Sequence, residues 1–188
     1  MIRRLGSADV EAFREIRLEA LRLCPQAFGS SFEEEHLLTA AEFARRVAPE
    51  PPDAVFGVFL DGDAALVGII GFHVRKHIKE RHKSMLSGMY VRPAARGRGI
   101  ATELLRHAIE HARNAPDVEV LQLTVTADNA AARALYDRAG FKPYGLERRA
   151  LRLAPGDYRD EELRWLDLTA APPPLAGGGR GEGTLTSL

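Results

Sequence analysis

The chain has 188 residues, with 26 Lys plus Arg against 26 Asp plus Glu, a hydrophobic fraction of 45% and one cysteine. This length suits one domain with a real core, and zero net charge gives no electrostatic footprint for general binding to nucleic acid or to an anionic membrane. The lone Cys24 excludes an internal disulfide and fits a reducing compartment; with no apolar leader after Met1 and no run of membrane-span length, the expected setting is cytoplasmic.

In chain order, residues 2–5 read as a short strand. Ser7 stands where a helix cap belongs, with Asp9 and Glu11 in the positive first turn. Phe13, Ile16, Ala20 and Leu21 recur at helical spacing, so an amphipathic helix is expected to about Leu23, where Pro25 stops it. A second helix is expected from about Ala40 to Val47, ahead of Pro49, Pro51 and Pro52. Ala54 to Leu60 and Ala64 to Val74 are β-rich apolar runs, and Asp61-Gly62-Asp63 between them is a hairpin signal. A strand from about Ser84 to Val91 follows, then a helix with Ile100, Leu104, Leu105, Ala108, Ile109 and Ala112 on one face. Strand 118–125 and helix 129–139 come next, with Gly140 as a left-handed cap, and 148–153 with 161–168 as a closing pair of strands. The expectation is one α+β domain over residues 1–168. Pro172-Pro173-Pro174 and Gly177-Gly178-Gly179 mark residues 169–188 as a flexible tail, with too little apolar surface to offset the entropy of ordering.

Between the strand ending at Val91 and the helix starting near Ile100 runs Arg96-Gly97-Arg98-Gly99-Ile100-Ala101. A helix start leaves N–H groups unpaired and carries about half a positive charge, and glycines let backbone curl around an anion. A nucleoside-triphosphate loop would need Gly-Lys-Ser/Thr, where this chain has Gly99-Ile100-Ala101. A dinucleotide fingerprint would need a third glycine, where this chain has Thr102, and a ribose-binding acid about twenty residues on. Arg/Gln-x-x-Gly-x-Gly/Ala is matched in full. Downstream, Asn129 opens a helix that carries Tyr136 and closes in Gly140-Phe141.

These two blocks, in this order, resemble the coenzyme A site of the GNAT superfamily of N-acetyltransferases. The resemblance spans about residues 1–168, with its specific part between about 85 and 145. It implies a layered α/β/α fold with a mixed, mostly antiparallel central sheet splayed in the middle. It also implies acetyl-CoA as cosubstrate, no metal, and acetyl transfer to a primary amine by direct attack in a ternary complex. Pyrophosphate would lie on Arg96, Gly97, Arg98, Gly99, Ile100 and Ala101. Backbone groups of Met89, Tyr90 and Val91 would flank the pantetheine arm, with Gly88 as the place for a bulge. Tyr136 would serve both cofactor binding and protonation of the departing thiolate, and Asn129 would contact the pantetheine arm while capping its helix. An ordinary core aromatic remains the alternative for Tyr136.

An acceptor amine of lysine type titrates near ~10.4 and needs a base. Many relatives carry a glutamate in the strand before the loop, but His82-Lys83-Ser84-Met85-Leu86-Ser87-Gly88 has no carboxylate. Glu33, Glu34 and Glu35 are the nearest alternatives, with Glu34 taken as the candidate base and a solvated acidic helix face as the competing reading. Phe32, Glu33, His73 and Tyr158 are candidate acceptor contacts, and Arg148 and Arg149 lie on the segment that borders the acceptor in the family. His73, His77 and His82 have no metal-ligand spacing, and Cys24 reads as a small buried apolar residue rather than a nucleophile. The expected partners are acetyl-CoA and an amine, without nucleic acid or membrane, and homodimerisation stays open. A non-catalytic acyl-CoA sensor is the alternative function.

Overall fold

In the computed structural model, residues 1–60 and 65–170 are described. Seven strands form one sheet in the order β1-β2-β3-β4-β5-β7-β6. They are β1 (Ile2–Arg4), β2 (Ala54–Phe59), β3 (Leu66–Val74), β4 (Lys83–Val91), β5 (Val120–Thr126), β6 (Lys142–Ala154) and β7 (Asp157–Asp167). Helices α1 (Val10–Leu23), α2 (Phe32–Glu35), α3 (Ala40–Val47), α4 (Ile100–Asn114) and α5 (Ala130–Arg138) cover it. Strands β4 and β5 pair in parallel, and the other neighbours pair antiparallel. This is the expected mixed, mostly antiparallel sheet of an α+β fold.

Alternation along the central strands divides the apolar side chains between two cores. Phe56, Ile70, Phe72 and Leu86 join Leu104, Leu105 and Ala108 of α4 on one face. Val55, Leu66, Ile69 and Tyr90 join Phe13, Ile16 and Leu21 of α1 and Phe43 of α3 on the other. Helix α4 buries the six residues that its periodicity selected. Each fully buried Leu, Ile or Phe contributes roughly 1.5–3 kcal/mol, so both faces of the sheet are held by side chains whose spacing is legible in the sequence.

The helix starts are settled by local chemistry. Ser7 does not cap α1; a single tight turn, Ser7–Asp9, precedes the helix, and Asp9 accepts hydrogen bonds from the Gly6 N–H at 2.9 Å and from Arg3 at 2.6 and 2.8 Å. Asp9 itself stands at the N-cap of α1, but its carboxylate is held by Arg3 of β1 and makes no side-chain cap bond to the helix. Helix α2, absent from the sequence reading, is one turn set by a capping box: Glu34 N–H donates to Ser31 Oγ at 3.2 Å, and the Glu34 carboxylate accepts from Ser31 N–H at 2.9 Å. Thr39 and Glu42 repeat the device at α3, whose limits match expectation.

The closing hairpin is much longer than the expected 148–153 and 161–168. Most of the residues in β6 are exposed, so no apolar alternation announces them. The Asp61-Gly62-Asp63 turn and the Pro- and Gly-rich stretch from residue 171 lie outside the described residues. At the domain's end the Asp167 carboxylate still accepts from the N–H groups of Thr169 and Ala170. Among the described residues no helix is long and apolar enough to cross a membrane.

Candidate active site

Strands β4 and β5 pair only over Lys83–Met85 with Val120–Gln122. Beyond Met85 they part. On its other edge β4 breaks register with β3: Gly71 faces Ser87, whereas Ile69 faces Tyr90. Gly88 takes a left-handed φ of 62°, so the extra residue is accommodated as a bulge that turns β4 away from β5. A cavity of about 500 Å³ fills the opening. One wall is Leu86–Val91, the other Leu123–Thr126, and Asn129, Leu135 and Tyr136 of the α5 region close one side.

The loop ahead of α4 stands at one end of this cavity. Gly97 and Gly99 have φ of 75° and 77°, and Gly99 is the residue that caps α4. A Cβ at either glycine would meet nothing within 4 Å, so the concavity is open and the glycines serve the backbone turn itself. Gly99 makes no side-chain cap, and helix geometry leaves the first N–H groups of α4, those of Ile100, Ala101 and Thr102, without intrahelical acceptors. Amides aimed outward from a positive helix end fit a pyrophosphate. Gly97, Gly99, Ile100 and Ala101 all line the cavity.

The two arginines of the loop part company. Arg96 lines the cavity, but its Nε donates to the Val91 carbonyl at 3.0 Å, its guanidinium lies 5.7 Å from the Tyr90 ring centroid, and its Nη2 lies 3.9 Å from Cys24 Sγ. It ties the loop to the end of β4. Arg98 is exposed and does not line the cavity.

Tyr136 is buried, with its ring edge-on to Phe141 at 5.8 Å and its hydroxyl 3.6 Å from Met89 Sδ. Desolvation pushes its phenol up to about 12, a shift that nearby Arg164 only partly offsets. Helix α5 is held onto β7 by Arg164, which is itself buried and donates to Asp137 at 2.6 Å and to Glu162 at 2.9 Å. Asn129 caps α5 as expected, its Oδ1 accepting from Ala132 N–H at 3.1 Å, and the residue also lines the cavity. Tyr90 turns its side chain the other way, into the core under α1, where its hydroxyl donates to Glu19 at 2.9 Å. Burial, then the Glu19 bond, push that phenol up to about 12 as well.

The candidate acceptor residues scatter. Glu34 is exposed, and its carboxylate is engaged in the α2 capping box, so it is not brought to the cavity. Glu33 is exposed beside it. Phe32 stacks on His36 at 4.9 Å under the Arg22 guanidinium. Tyr158 packs beneath Arg149 at 3.9 Å. Glu35 is buried between Arg17 and Arg46, at 2.7 and 2.9 Å. Burial pushes its carboxyl up, but the Arg17 bonds and charge outweigh that and hold it below the ordinary range. His73 stands apart from this group: its Nε2 is 3.1 Å from Ser87 Oγ, and Ser87 lines the cavity.

Three lining elements escaped the sequence reading. Gln26, Ala27 and Phe28 form a wall, fixed where Thr126 Oγ1 donates to the Gln26 carbonyl at 2.7 Å. Ser87 is the second. The third is Glu161 of β7, whose carboxyl is raised by burial and by Glu147, its cross-strand partner. No motif marks these positions; strand pairing brings Ser87 and Glu161 to the cavity, and the Thr126 bond brings Gln26–Phe28. Among the described residues no group of three His, Cys, Asp or Glu could hold a metal ion.

A splayed parallel pair, an open amide cradle and a buried tyrosine at the splay together define an acyltransferase that handles a pyrophosphate-bearing thioester. Residues 11–141 match the acetyltransferase (GNAT) family, and the chain belongs to that family of acetyl-CoA-dependent N-acetyltransferases. Among curated relatives it is similar to the L-amino acid N-acetyltransferase AaaT of Escherichia coli, with 28% identity over 160 residues, covering 85% of this chain and 93% of that one. It is also similar to the N-alpha-acetyltransferase RimI of Mycobacterium tuberculosis, with 45% identity over 67 residues, 36% of this chain and 40% of that one. Among solved structures, a GNAT-family acetyltransferase from Streptococcus pneumoniae superposes with a TM-score of 0.77 at 25% identity, covering 89% of this chain and 98% of that one. The yncA protein of Salmonella typhimurium, solved with its cofactor acetyl-CoA, shares the fold at a TM-score of 0.71 and 23% identity, covering 94% and 98%.

Proposed function

We propose that this chain acetylates an α-amino group, of a free L-amino acid or of a peptide N-terminus, by direct attack on bound acetyl-CoA in a ternary complex. The observation that carries this reading is the single cavity joining the α4 amide cradle to Tyr136 across the β4–β5 opening. The amides of Ile100, Ala101 and Thr102 hold the pyrophosphate, and Met89 to Val91 orient the thioester along β4. The buried phenol of Tyr136, held at about 12, stays protonated at any physiological pH. Full proton loss to a thiolate whose conjugate thiol titrates near ~8.5 runs uphill, so Tyr136 acts by hydrogen-bonding the departing sulfur as charge builds there. The raised carboxyl of Glu161 on the cavity wall suits a cationic acceptor, whose charge would relieve its repulsion with Glu147.

The names of the relatives, an L-amino acid N-acetyltransferase for AaaT and an N-alpha-acetyltransferase for RimI, support an amino acid or a peptide N-terminus as the acceptor. The single Cys24 supports a reducing, cytoplasmic setting. A thiol-release assay with acetyl-CoA tests the proposal against free L-amino acids, an alanine-initiated peptide, polyamines and aminoglycosides. Release with the first two classes is the expected result. Tight acetyl-CoA binding with no release for any amine would replace the transferase by a sensor.

A further inference from the structure

Strand β4 carries no carboxylate where a base is needed, yet a polar group from β3 reaches the same spot. Across the β3–β4 pair, Gly71 is opposite Ser87 and His73 is opposite Met85, so His73 and Ser87 are diagonal neighbours on one face. The imidazole lies along the strand over Gly71, and Nε2 meets Ser87 Oγ at 3.1 Å. A Cβ at Gly71 would come within 3.0 Å of Ser87 Oγ and 3.2 Å of His73 Nε2, so the contact depends on a glycine there.

Asp53, in the segment before β2, backs the ring. Its Oδ1 accepts from the Val74 N–H at 2.8 Å, which fixes the carboxylate, and Oδ2 lies 3.7 Å from His73 Nδ1. A carboxylate on that side favours the tautomer with the proton on Nδ1, leaving Nε2 to accept from the serine hydroxyl. Ser87 immediately precedes the Gly88 bulge and lines the cavity with Met89, the residue that touches the Tyr136 hydroxyl. The other charges near this point are Arg17 of α1, whose Nη1 would lie 3.4 Å from a Cβ at Gly88, its partner Glu35 of α2, and Arg46 of α3, which pairs with the same Glu35. Arg17 is held by Glu35, which leaves the histidine as the proton acceptor on this side. The His73 side chain is 45% exposed, which gives a proton a way out to water.

We propose that Ser87 and His73, with Asp53 as positioning residue, form the relay that takes the proton from the acceptor amine. This rests on the transferase reading above. The amine attacks as its free base, having shed its ammonium proton to water; as nitrogen bonds to the acetyl carbon, one of its two remaining protons passes to Ser87 Oγ and the serine's own proton passes to His73 Nε2. The carbon–sulfur bond breaks with its electron pair on sulfur, and His73 returns the proton to solvent. Atoms and charge balance without any further reactant.

Steady-state thiol release tests this, using saturating acetyl-CoA and whichever of the free L-amino acids or the alanine-initiated peptide turns over fastest. His73→Gln should lower kcat about 100-fold, in line with loss of general base catalysis, while KM for acetyl-CoA stays within about twofold. Ser87→Ala, a change small enough to keep the fold, should cost about tenfold in kcat, since a water can bridge part of the gap. Raising the pH should restore activity to His73→Gln, as free amine becomes abundant, by a larger factor than it raises that of the wild type. Wild-type turnover in both variants would overturn the relay and leave the transferase reading intact. So would acetyl on Ser87 in a rapid quench without acceptor, which would make the serine a nucleophile, or a loss confined to Glu161→Gln. A wild type inert toward every amine would bring down the transferase reading and the relay with it.

Discussion

The loop from β4 to α4 shapes one end of the cavity from backbone, whereas side chains of β4, α5 and β7 shape the rest, backed by others from α1, α2 and β3. On the backbone side the parts are a bulge at Gly88, two left-handed glycines and the open amides of α4, all within fifteen residues of one another. On the side-chain side, Arg17, Glu35, Asp53, His73, Ser87 and Glu161 come from six separate elements or segments. A backbone device tolerates changes of side chain so long as φ is permitted, and it recognises a ligand that never varies. A side-chain wall can be rewritten residue by residue, which is what acceptor choice requires.

The comparison breaks most readily at Glu35. Removing a buried carboxylate from between two arginines leaves Arg17 unpaired above Gly88, and such losses cost about 3–5 kcal/mol. Glu35→Ala should show that loss in urea denaturation, well above the effect of any change in the glycine loop. Because the folded carboxyl is held below its ordinary value of 4.5, its contribution is fully present above that pH and is lost as pH falls through the lowered value. Glu35→Gln should flatten that part of the acid limb; an unchanged limb would show that the clamp does not stabilise the side-chain wall.

Next in size is Tyr136→Phe. Loss of one hydrogen-bond donor aimed at developing charge should lower kcat by about 10–100-fold, with KM for acetyl-CoA nearly unchanged. Unchanged turnover would reduce Tyr136 to a core aromatic packed on Phe141. Gly99→Val probes the backbone side alone, since its Cβ meets no neighbour. A β-branched residue at φ 77° is strained by about 1–2 kcal/mol, and relief toward negative φ turns the amides out of the cradle. Acetyl-CoA affinity should fall about tenfold while kcat at saturation holds.

What was legible in the sequence follows the same division. Helices α3 and α4, the central strands, the Gly88 bulge and the Arg96–Ala101 cradle are carried by periodicity and by glycines whose conformational need is local. Helix α2 escaped because one turn has no periodicity, and its capping box was read instead as an acidic cluster holding a base. The reach of β6 escaped because an exposed edge strand has no buried face to alternate. Ser87 and Glu161 escaped because pairing, set by a bulge and a hairpin register, decides which residues face the opening. His73 was in view as a cleft histidine, but its partners Asp53 and Ser87 are joined to it only by the fold.

The smallest effect separates backbone from charge within the cradle itself. Arg98 sits between the two glycines, and its position in the motif suggests a direct part in holding pyrophosphate. In the folded chain it is exposed and off the cavity, whereas Arg96 is fixed to the Val91 carbonyl. An exposed charge acting through water contributes about 0.2–1 kcal/mol and is screened within about 8 Å at physiological salt. Arg98→Ala should therefore weaken acetyl-CoA binding by less than about fivefold, and raising the salt should erase most of the difference. Arg96→Ala should weaken it more, and by an amount that salt does not erase, because the loop loses its anchor to β4. If instead Arg98→Ala abolished binding at every salt concentration, the pyrophosphate would be held by side-chain charge, and the division between a backbone wall and a side-chain wall would fail at the point where it is drawn most sharply.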